Sequence, residues 1–389
     1  MKKIFLKKKR DAALRRFHPW VFSGAVGRKE GLLRDGEIVE VYSAGGEYLA
    51  TGHFQDGSIC VRIFSFEKTN ADLAFWISKL QNAYHFRKQL IVGDTNCYRL
   101  IHAEGDGLPG LIIDVYDQTA VIQCHSIGMH LSKDAIVEAL RKVLGDELTT
   151  IYDKSAETLP RDYATQIENS LLFGNEVKGV VKEFGHQFLV NWKEGQKTGF
   201  FLDQRDNRLL LAQYATGKKV LNSFCYTGGF SIYALQAGAK EVHSVDISQK
   251  AIDLTDENVA LNGFTKGQHQ SYAADVLKFL KENTQVYDLI VVDPPAFAKS
   301  LKKRHNAIQG YKRLNALALK HVKKGGMVFT FSCSQVVDQQ LFYNTIVAAA
   351  IEAGRQVRVM RHLSQASDHP VSLFHPEGAY LKGLVLYVE

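Results

Sequence analysis

The chain has 389 residues, of which 46% are hydrophobic and 23% charged, and its formal net charge at pH 7 is +7. This length exceeds what one core of ordinary size organises, so we expect two or three domains with the composition of a soluble globular protein. No apolar run reaches the roughly 18 residues that span a bilayer. The opening "MKKIFLKKKRDAALRR" becomes charged again too soon for a signal peptide. We therefore expect a cytoplasmic protein.

The five cysteines, at positions 60, 97, 124, 225 and 333, are odd in number and widely spaced. None of them forms a C-x-x-C pair, which argues against both a disulfide framework and a zinc site. We predict free thiols and no metal.

Positive charge is concentrated at the N-terminus. Residues 1–30 carry ten basic and two acidic side chains, an excess larger than the +7 of the whole chain. Aromatic residues lie among these charges, and this combination suits a polyanion with stackable bases, although a solvated tail explains the charge equally well. The candidate RNA contacts here are Lys7, Lys8, Lys9, Arg10, Arg15, Arg16 and Trp20.

The hydrophobic pattern then divides the chain into segments. Up to Phe66, "GEIVEVYSAGGEYLATGHFQDGSICVRIFSF" alternates apolar and polar residues between glycine-rich turns, which predicts a small β-barrel. Helical spacing from Leu73 to Tyr84, strand-like stretches, and an amphipathic helix with Ser132 as its N-cap predict an α+β middle domain that ends near Trp192. The predicted domains are residues 1–70, 71–192 and 193–389.

From about Gly199 onward, strand candidates alternate with helix candidates, which is typical of an α/β domain with a parallel sheet and crossover helices. Two further strands, in "QVRVMR" and "LKGLVLYV", follow the last helix. The strand candidates are Lys219–Ser223, Glu241–Asp246, His269–Ala274, Leu289–Asp293 and Met327–Ser332, and the helix candidates are Gly229–Ala237, Gln249–Leu261, Val276–Asn283, Tyr311–Lys323 and Gln339–Ala353.

The ends of these strands supply the candidate ligand-binding residues, because open parallel sheets bind ligands beyond the carboxyl ends of their strands. The first strand is followed by a turn with Gly228 and Gly229 but without G-x-G-x-x-G, which argues against a dinucleotide. Asp246, at the end of the second, can accept both hydroxyls of a ribose, and Asp275, after the third, can accept from an adenine amino group. Each acid alone is explained as well by a loop or a helix N-cap. Together they favour an adenosine ligand without a diphosphate, namely S-adenosylmethionine.

The fourth strand leads into "DLIVVDPPAF", where Asp293 follows a nearly apolar run. Burial raises the pKa of such a carboxyl unless it is paired, which suits a hydrogen bond to a ring nitrogen of a nucleobase. Pro294 and Pro295 stiffen the turn and present backbone carbonyls that can accept from an exocyclic amine. A purely structural turn is the alternative.

The fifth strand ends at Cys333 in "MVFTFSCSQVVD". A buried cysteine is usually a small hydrophobe, but this one lies between two serines and before a helix that begins near Gln339, whose N–H groups can lower a thiol pKa. A thiolate that adds to C6 of cytosine makes C5 nucleophilic enough to attack the methyl of a sulfonium. We therefore predict that Cys333 and Asp293 act on the same base.

At this point the sequence resembles the RlmI-type 23S rRNA (cytosine-C5)-methyltransferases. The resemblance covers nearly the whole chain and rests on "GFFLDQRDNR", "LNSFCYTGGFS", "SVDIS", "VDPPAF", "QGYKRLN", "FSCS" and "HPEGAYLKG". It implies an N-terminal PUA-like β-barrel, a central α+β domain and a class I (Rossmann-like) methyltransferase domain, with RNA, and within RNA the 23S rRNA, as the expected substrate.

The resemblance also implies roles for individual residues. Cys333 would be the nucleophile and Asp293 its partner on the base. The cofactor contacts would be Asn222, Phe224, Tyr226, Thr227, Gly228, Asp246, Ser248, Asp275, Asp293, Asp203 and Arg205, and the RNA contacts near the reacting base would be Pro294, Pro295, Phe297, Tyr311 and Lys312.

The sequence leaves several questions undecided. Many RNA cytosine-C5 methyltransferases have a second cysteine where this chain has Ala296, so the base that removes the C5 proton is not identified. A methyltransferase acting on a purine nitrogen, and a catalytically idle RNA-binding assembly factor, are the alternative functions. The methylated nucleotide is not specified, and a homodimer stays open.

Overall fold

The computed structural model describes residues 1–175, 179–298 and 300–389. These form two compact units, one comprising residues 1–184, 190–202 and 367–378 and the other residues 185–189, 203–366 and 379–389. Within the described ranges, no helix combines the length and the apolar character needed to cross a membrane.

The first unit begins with a six-stranded sheet in the order β2-β6-β5-β4-β1-β3, in which β1 runs parallel to β4. Apolar side chains on one face, among them Val39, Val41 and Val61, form its core, as the alternating pattern predicts. Its strands are β1 (Lys2–Leu6), β2 (Trp20–Phe22), β3 (Val26–Lys29), β4 (Ile38–Tyr42), β5 (Tyr48–Phe54) and β6 (Ile59–Ser65).

The basic N-terminal segment supplies three of these strands. Ile4 and Leu6 are buried in the sheet core, so a solvated tail is the wrong description of residues 2–6. The charged side chains predicted to contact RNA nevertheless face solvent. Lys7, Lys8, Lys9, Arg10, Arg15 and Arg16 are all exposed.

The middle of the chain forms a five-stranded sheet in the order β11-β10-β9-β8-β7, with a separate apolar core. The first helix here is held by Arg87, which is 1% exposed, pairs with Asp106 at 2.5 Å and donates to the Asp368 carbonyl. The elements are α1 (Leu73–Leu90), β7 (Cys97–His102), β8 (Leu111–Tyr116), β9 (Thr119–Cys124), α2 (Ile127–Leu131), α3 (Lys133–Leu144), β10 (Thr150–Asp153), α4 (Arg161–Ala164), β11 (Ser170–Phe173) and β12 (Val180–Glu183).

The second unit contains a seven-stranded sheet in the order β16-β15-β14-β17-β18-β20-β19, and its first five strands in this order are parallel. The strand order reverses between β14 and β17, since β15 and β16 lie on one side of β14 and the later strands lie on the other. α/β sheets bind ligands at such a switch point. The elements are β13 (His186–Leu189), α5 (Arg205–Ala215), β14 (Lys219–Ser223), α6 (Gly229–Gln236), β15 (Glu241–Asp246), α7 (Gln249–Leu261), β16 (His269–Ala273), α8 (Val276–Glu282), β17 (Tyr287–Val292), α9 (Arg304–His321), β18 (Val322–Ser332), α10 (Gln339–Ala353), β19 (Val357–Leu363) and β20 (Lys382–Val388).

The largest error in the predicted elements concerns α9, which begins at Arg304 and not at Tyr311. Gly310 weakens the helical signal of the sequence. The structure explains this glycine, because a Cβ there would lie 3.0 Å from the Phe297 ring. Close packing against Phe297, which the sequence does not show, therefore favours glycine at position 310.

Candidate active site

Three candidate segments lie along the carboxyl edge of the second unit's sheet. β14 and β17 are paired with Ser223 opposite Val292, and Val292 is opposite Thr330 of β18. Since these strands are parallel, the loop after β14, Asp293 after β17 and Cys333 after β18 leave the sheet at the same edge.

The loop after β14 has a strained backbone. Phe224 and Tyr226 have φ angles of 61° and 47°, which non-glycine residues rarely adopt, and Gly228 has a φ of 78°. Such strain is found at binding sites when surrounding contacts hold it. Here α7 provides them, because Thr255 donates to the Tyr226 carbonyl at 2.8 Å and Asn258 donates to the Thr227 carbonyl at 2.9 Å.

Gly228 is required at the end of this loop. Besides its positive φ, a Cβ at this position would lie 2.8 Å from the Thr255 methyl group. Its backbone is the N-cap of α6, so the loop directs the N-terminal end of that helix towards the sheet edge.

Asp246 lies beside this loop. Its Oδ2 accepts from the Tyr226 amide at 3.1 Å and its Oδ1 accepts from the Ser248 amide at 2.9 Å. These two bonds orient the carboxylate, and each oxygen retains a further lone pair that can accept a hydroxyl. This arrangement fits the predicted ribose contact.

Asn222 lies beneath the loop in a buried polar chain. Its amide donates to Ser231 at 2.8 Å, Ser231 meets Ser244 at 2.7 Å, and Ser244 meets His269 at 2.7 Å. Burial lowers the pKa of His269 to about 4, so the imidazole is neutral and the chain carries no buried charge at its end. Asn222 therefore supports the loop from below.

The remaining predicted adenosine contacts are helix N-caps. Asp275 accepts from the Lys278 amide at 2.8 Å, and Ser248 accepts from the Ala251 amide at 3.4 Å. Asp275 and Ile247 also line a cleft of about 580 Å³ that continues along α8. An apolar side chain and a carboxylate in one cleft suit a purine ring with an amino group.

Asp293 has a strongly perturbed carboxyl group. Burial and then the neighbouring Asp203 raise the pKa of Asp293 to about 7, against a smaller lowering by Gln204 and Arg208. Gln204 donates to Asp293 Oδ2 at 2.9 Å. The predicted rise in pKa is confirmed, and the carboxyl group can donate a proton or hydrogen bond near neutral pH.

Asp203 lies next to this carboxyl group, and Arg205 is the first residue of the following helix, α5. Asp203 Oδ2 accepts from the Tyr380 hydroxyl at 2.6 Å, whereas its buried Oδ1 has no partner among the described residues. Arg205 is only 3% exposed. Little of its side chain is therefore open to a cofactor in this structure.

Cys333 differs from the other cysteines of the chain. None of the five forms a disulfide, as predicted, but Cys333 is partly exposed and the other four are buried. The flanking Ser332 and Ser334 have no exposed surface. Ser334 meets the Tyr311 hydroxyl at 2.9 Å, and its carbonyl accepts from Lys382 at 2.8 Å, which fixes the backbone on the C-terminal side of the thiol.

The residues predicted to contact RNA near the reacting base differ in their exposure to solvent. Tyr311 has no exposed surface, which does not fit a direct RNA contact; it packs against Phe297 with ring centroids 4.6 Å apart. Lys312 pairs with Glu352 at 2.9 Å. Of the two prolines, Pro294 is buried and Pro295 is exposed.

Trp20 belongs to the first unit and is partly buried. Its indole N–H donates to Glu104 at 2.9 Å. Nearby, His18, His375 and Glu377 form the group of potential metal ligands found among the described residues. However, His18 Nδ1 accepts from the Trp20 amide. A neutral ring then carries its proton on Nε2, the nitrogen that faces Glu377, which disfavours a metal there.

Three contributing residues were not predicted: Gln204, Tyr380 and Lys382. They fall inside the segments "LDQR" and "AYLKG", but no local pattern assigns them a role. Their significance comes from contacts with Asp293, Asp203 and the backbone beside Cys333.

Comparison with known protein families agrees with this geometry. Residues 4–66 match a PUA-like domain, and residues 134–360 match the S-adenosylmethionine-dependent methyltransferase family. The second match covers more than half of the chain, so the fold and the site define a methyltransferase that uses S-adenosylmethionine.

Curated relatives narrow this class. The chain is 42% identical to ribosomal RNA large subunit methyltransferase I of Aeromonas hydrophila over 98% of both chains. It is 41% identical to the Vibrio parahaemolyticus protein of the same name, over 99% of both chains. The chain belongs to the ribosomal RNA large subunit methyltransferase I family.

Solved structures share the fold. A structure assigned as a methyltransferase from Streptococcus mutans has a TM-score of 0.84 and 24% identity, with full coverage of both chains. Another, in complex with SAH, has a TM-score of 0.86 at 24% identity and equal coverage. Trm5b from Pyrococcus abyssi aligns over 71% of this chain and 74% of its own, with a TM-score of 0.53 and 18% identity.

Proposed function

We propose that this protein methylates C5 of a cytosine in large-subunit ribosomal RNA, with Cys333 as the nucleophile. The observation that carries the proposal is the position of Cys333, because the one partly exposed thiol of the chain follows the strand beside Asp293. The ribosomal substrate is inferred from the names of the relatives. We expect the protein to be located in the cytoplasm.

S-adenosylmethionine, when bound, supplies an electrophilic methyl group on a sulfonium. The residues of the β14 loop, Asp246 and Asp275 would hold its adenosine part, since they combine ribose-type and adenine-type acceptors beside a Gly228 turn.

The chain's own groups would act on the cytosine. The Cys333 thiolate adds to C6 while Asp293 donates a hydrogen bond or proton to N3, so the electron pair moves to C5. After methyl transfer to C5, loss of the C5 proton expels the thiolate and restores the aromatic ring. Asp293 suits this role because the pKa of about 7 leaves much of it protonated at neutral pH.

The basic N-terminal segment would position the RNA. Its exposed cations, Lys7 to Arg10, offer contacts to phosphates that do not depend on base identity. Because a thiol cannot reach C6 within a stacked duplex, the target base must be unpaired or flipped out.

The test compares wild-type protein with Cys333→Ala and Cys124→Ala on large-subunit RNA from cells that lack the enzyme. Cys124 is buried at the end of β9 in the first unit, so its substitution is the matched control. Nucleosides are identified by mass spectrometry, and S-adenosylmethionine binding is measured for each variant. We expect 5-methylcytidine from wild type and Cys124→Ala, and none from Cys333→Ala despite retained cofactor binding. Full activity of Cys333→Ala, or a methylated purine as product, would contradict the proposal and favour the purine alternative.

A further inference from the structure

Lys382 is a buried lysine at the edge of the sheet where Cys333 lies. It is the first residue of β20, and the antiparallel pairing with β18 places it opposite Ser332, the residue before the cysteine. The residue is only 8% exposed. Lysine is rarely buried to this extent unless its charge is balanced.

Local contacts hold the amino group next to the backbone segment that carries the thiol. Lys382 Nζ donates to the carbonyl of Ser334, the residue after the cysteine, at 2.8 Å. One end of Lys382 is thus fixed by strand pairing before Cys333 and the other by a hydrogen bond after it. The ammonium has little freedom to leave this position.

The charge of Lys382 has two titratable neighbours. The pKa of Lys382 is lowered, because burial outweighs the effects of the Cys333 thiol and then Asp338, which both raise it. Asp338 is exposed and already caps α10 by accepting from the Leu341 amide at 2.8 Å. A buried cation requires a close anion, and of the two groups Cys333 has the larger effect on the pKa of Lys382.

We propose that the Lys382 ammonium is the charge partner that stabilises the thiolate of Cys333. The catalytic consequence rests on the proposed function, because it assumes that the thiolate attacks cytosine. Lys382 acts through Cys333 and is therefore a positioning residue. A nearby cation is an established way to raise the thiolate fraction of a cysteine.

The other groups around the thiol are consistent with this assignment. From α9, the Tyr311 hydroxyl bonds Ser334, and both burial and the Cys333 charge keep its pKa raised, so the phenol stays neutral. Asp338, at the start of α10, is an acidic residue and does not favour a thiolate. Among these three described neighbours, Lys382, from β20, is the basic group that favours it.

The charge pair of Lys382 and Cys333 is tested through the apparent pKa of the Cys333 thiol. This pKa is obtained from the pH dependence of Cys333 alkylation with iodoacetamide, without RNA or cofactor. Mass spectrometry of the Cys333 peptide separates it from the four buried cysteines. In wild type we expect an apparent pKa below the value of about 8.5 for a free cysteine. Lys382→Met should slow alkylation at pH 7 by about tenfold, whereas Lys382→Arg should stay within about threefold of wild type. Lys320→Met, which removes an exposed lysine of α9, is the matched control and should match wild type.

Each result decides a separate point. A wild-type apparent pKa at or above about 8.5, or equal apparent pKa values for wild type and Lys382→Met, would overturn the proposal, and the wild-type measurement stands even if the variant fails to fold. Methylation by Lys382→Met should recover relative to wild type as the pH rises to 9, since the thiol then ionises unaided. If Cys333→Ala retains methylation while the alkylation shift is observed, the proposed function fails and the charge pair stands.

Discussion

Asp293→Asn tests the perturbed carboxyl group directly, because the substitution keeps the shape and the acceptor for Gln204 but removes the ionisation. The structure raises the pKa of Asp293 from 3.8 to about 7, chiefly through burial and the neighbouring Asp203. A raised pKa means that the folded state binds the proton more tightly than the unfolded state does. Wild-type stability should therefore fall as pH rises from about 4 to about 7 and level off above that.

The magnitude follows from the rise of the Asp293 pKa from 3.8 to about 7, at about 1.4 kcal/mol for each pKa unit. Much of the resulting change in the free energy of unfolding occurs between pH 5 and pH 8. Over that interval the free energy of unfolding of Asp293→Asn should gain about 2–3 kcal/mol relative to wild type.

The assay is urea denaturation of both proteins at several pH values from 5 to 8.5, with Asp253→Asn as control. Asp253 is exposed on α7, so its substitution makes the same chemical change on the surface of the protein. A difference between Asp293→Asn and wild type that stays constant over this range would refute the assigned carboxyl environment.

Three further outcomes are expected. Gly228→Ala should weaken S-adenosylmethionine binding at least tenfold by calorimetry, because the new Cβ meets the α7 threonine at 2.8 Å. Arg87→Met should lower the free energy of unfolding by about 3–5 kcal/mol in urea, since it leaves the largely buried Asp106 carboxylate without its cationic partner. Replacing Lys8, Lys9 and Arg10 by Gln should weaken RNA binding for all sequences and reduce the salt slope by about 2 in filter binding.

The first two of these substitutions have a control in the chain. Gly263 also has a positive φ, but nothing lies within 4 Å of its Cβ position, so Gly263→Ala should retain cofactor affinity. Lys142→Met removes an exposed pair with Glu138 and should cost less than about 0.5 kcal/mol. Equal effects of a variant and its control would contradict the reasoning for that site.

Much of the second unit could be predicted from the sequence, because its signals are local. The bounds of β14, β15, α7 and α10 agree with the predicted ones. Apolar runs mark the strands, while Ser248 and Asp338 mark two helix starts through their N-cap bonds. Strand order then places Asp293 and Cys333 at one edge.

The unpredicted parts depend on contacts between distant residues. Lys382 is far from Cys333 in sequence and reaches it through the pairing of β18 and β20. Tyr311 was predicted to face RNA, yet it lies beneath Ser334, because an aromatic residue gives the same signal whether it stacks on a base or packs in a core. The pKa of Asp293 likewise depends in part on Asp203, which no local pattern connects to it.

The central claim is a bond between the Cys333 sulfur and C6 of cytosine. RNA that carries 5-fluorocytidine at the target position cannot lose a C5 proton, so the enzyme should stay attached after methyl transfer. Wild-type protein with S-adenosylmethionine should give a complex stable to denaturation, and digestion should place the nucleotide on the Cys333 peptide. Methylation of normal RNA without any such complex, or an equal amount of complex with Cys333→Ala, would contradict the account.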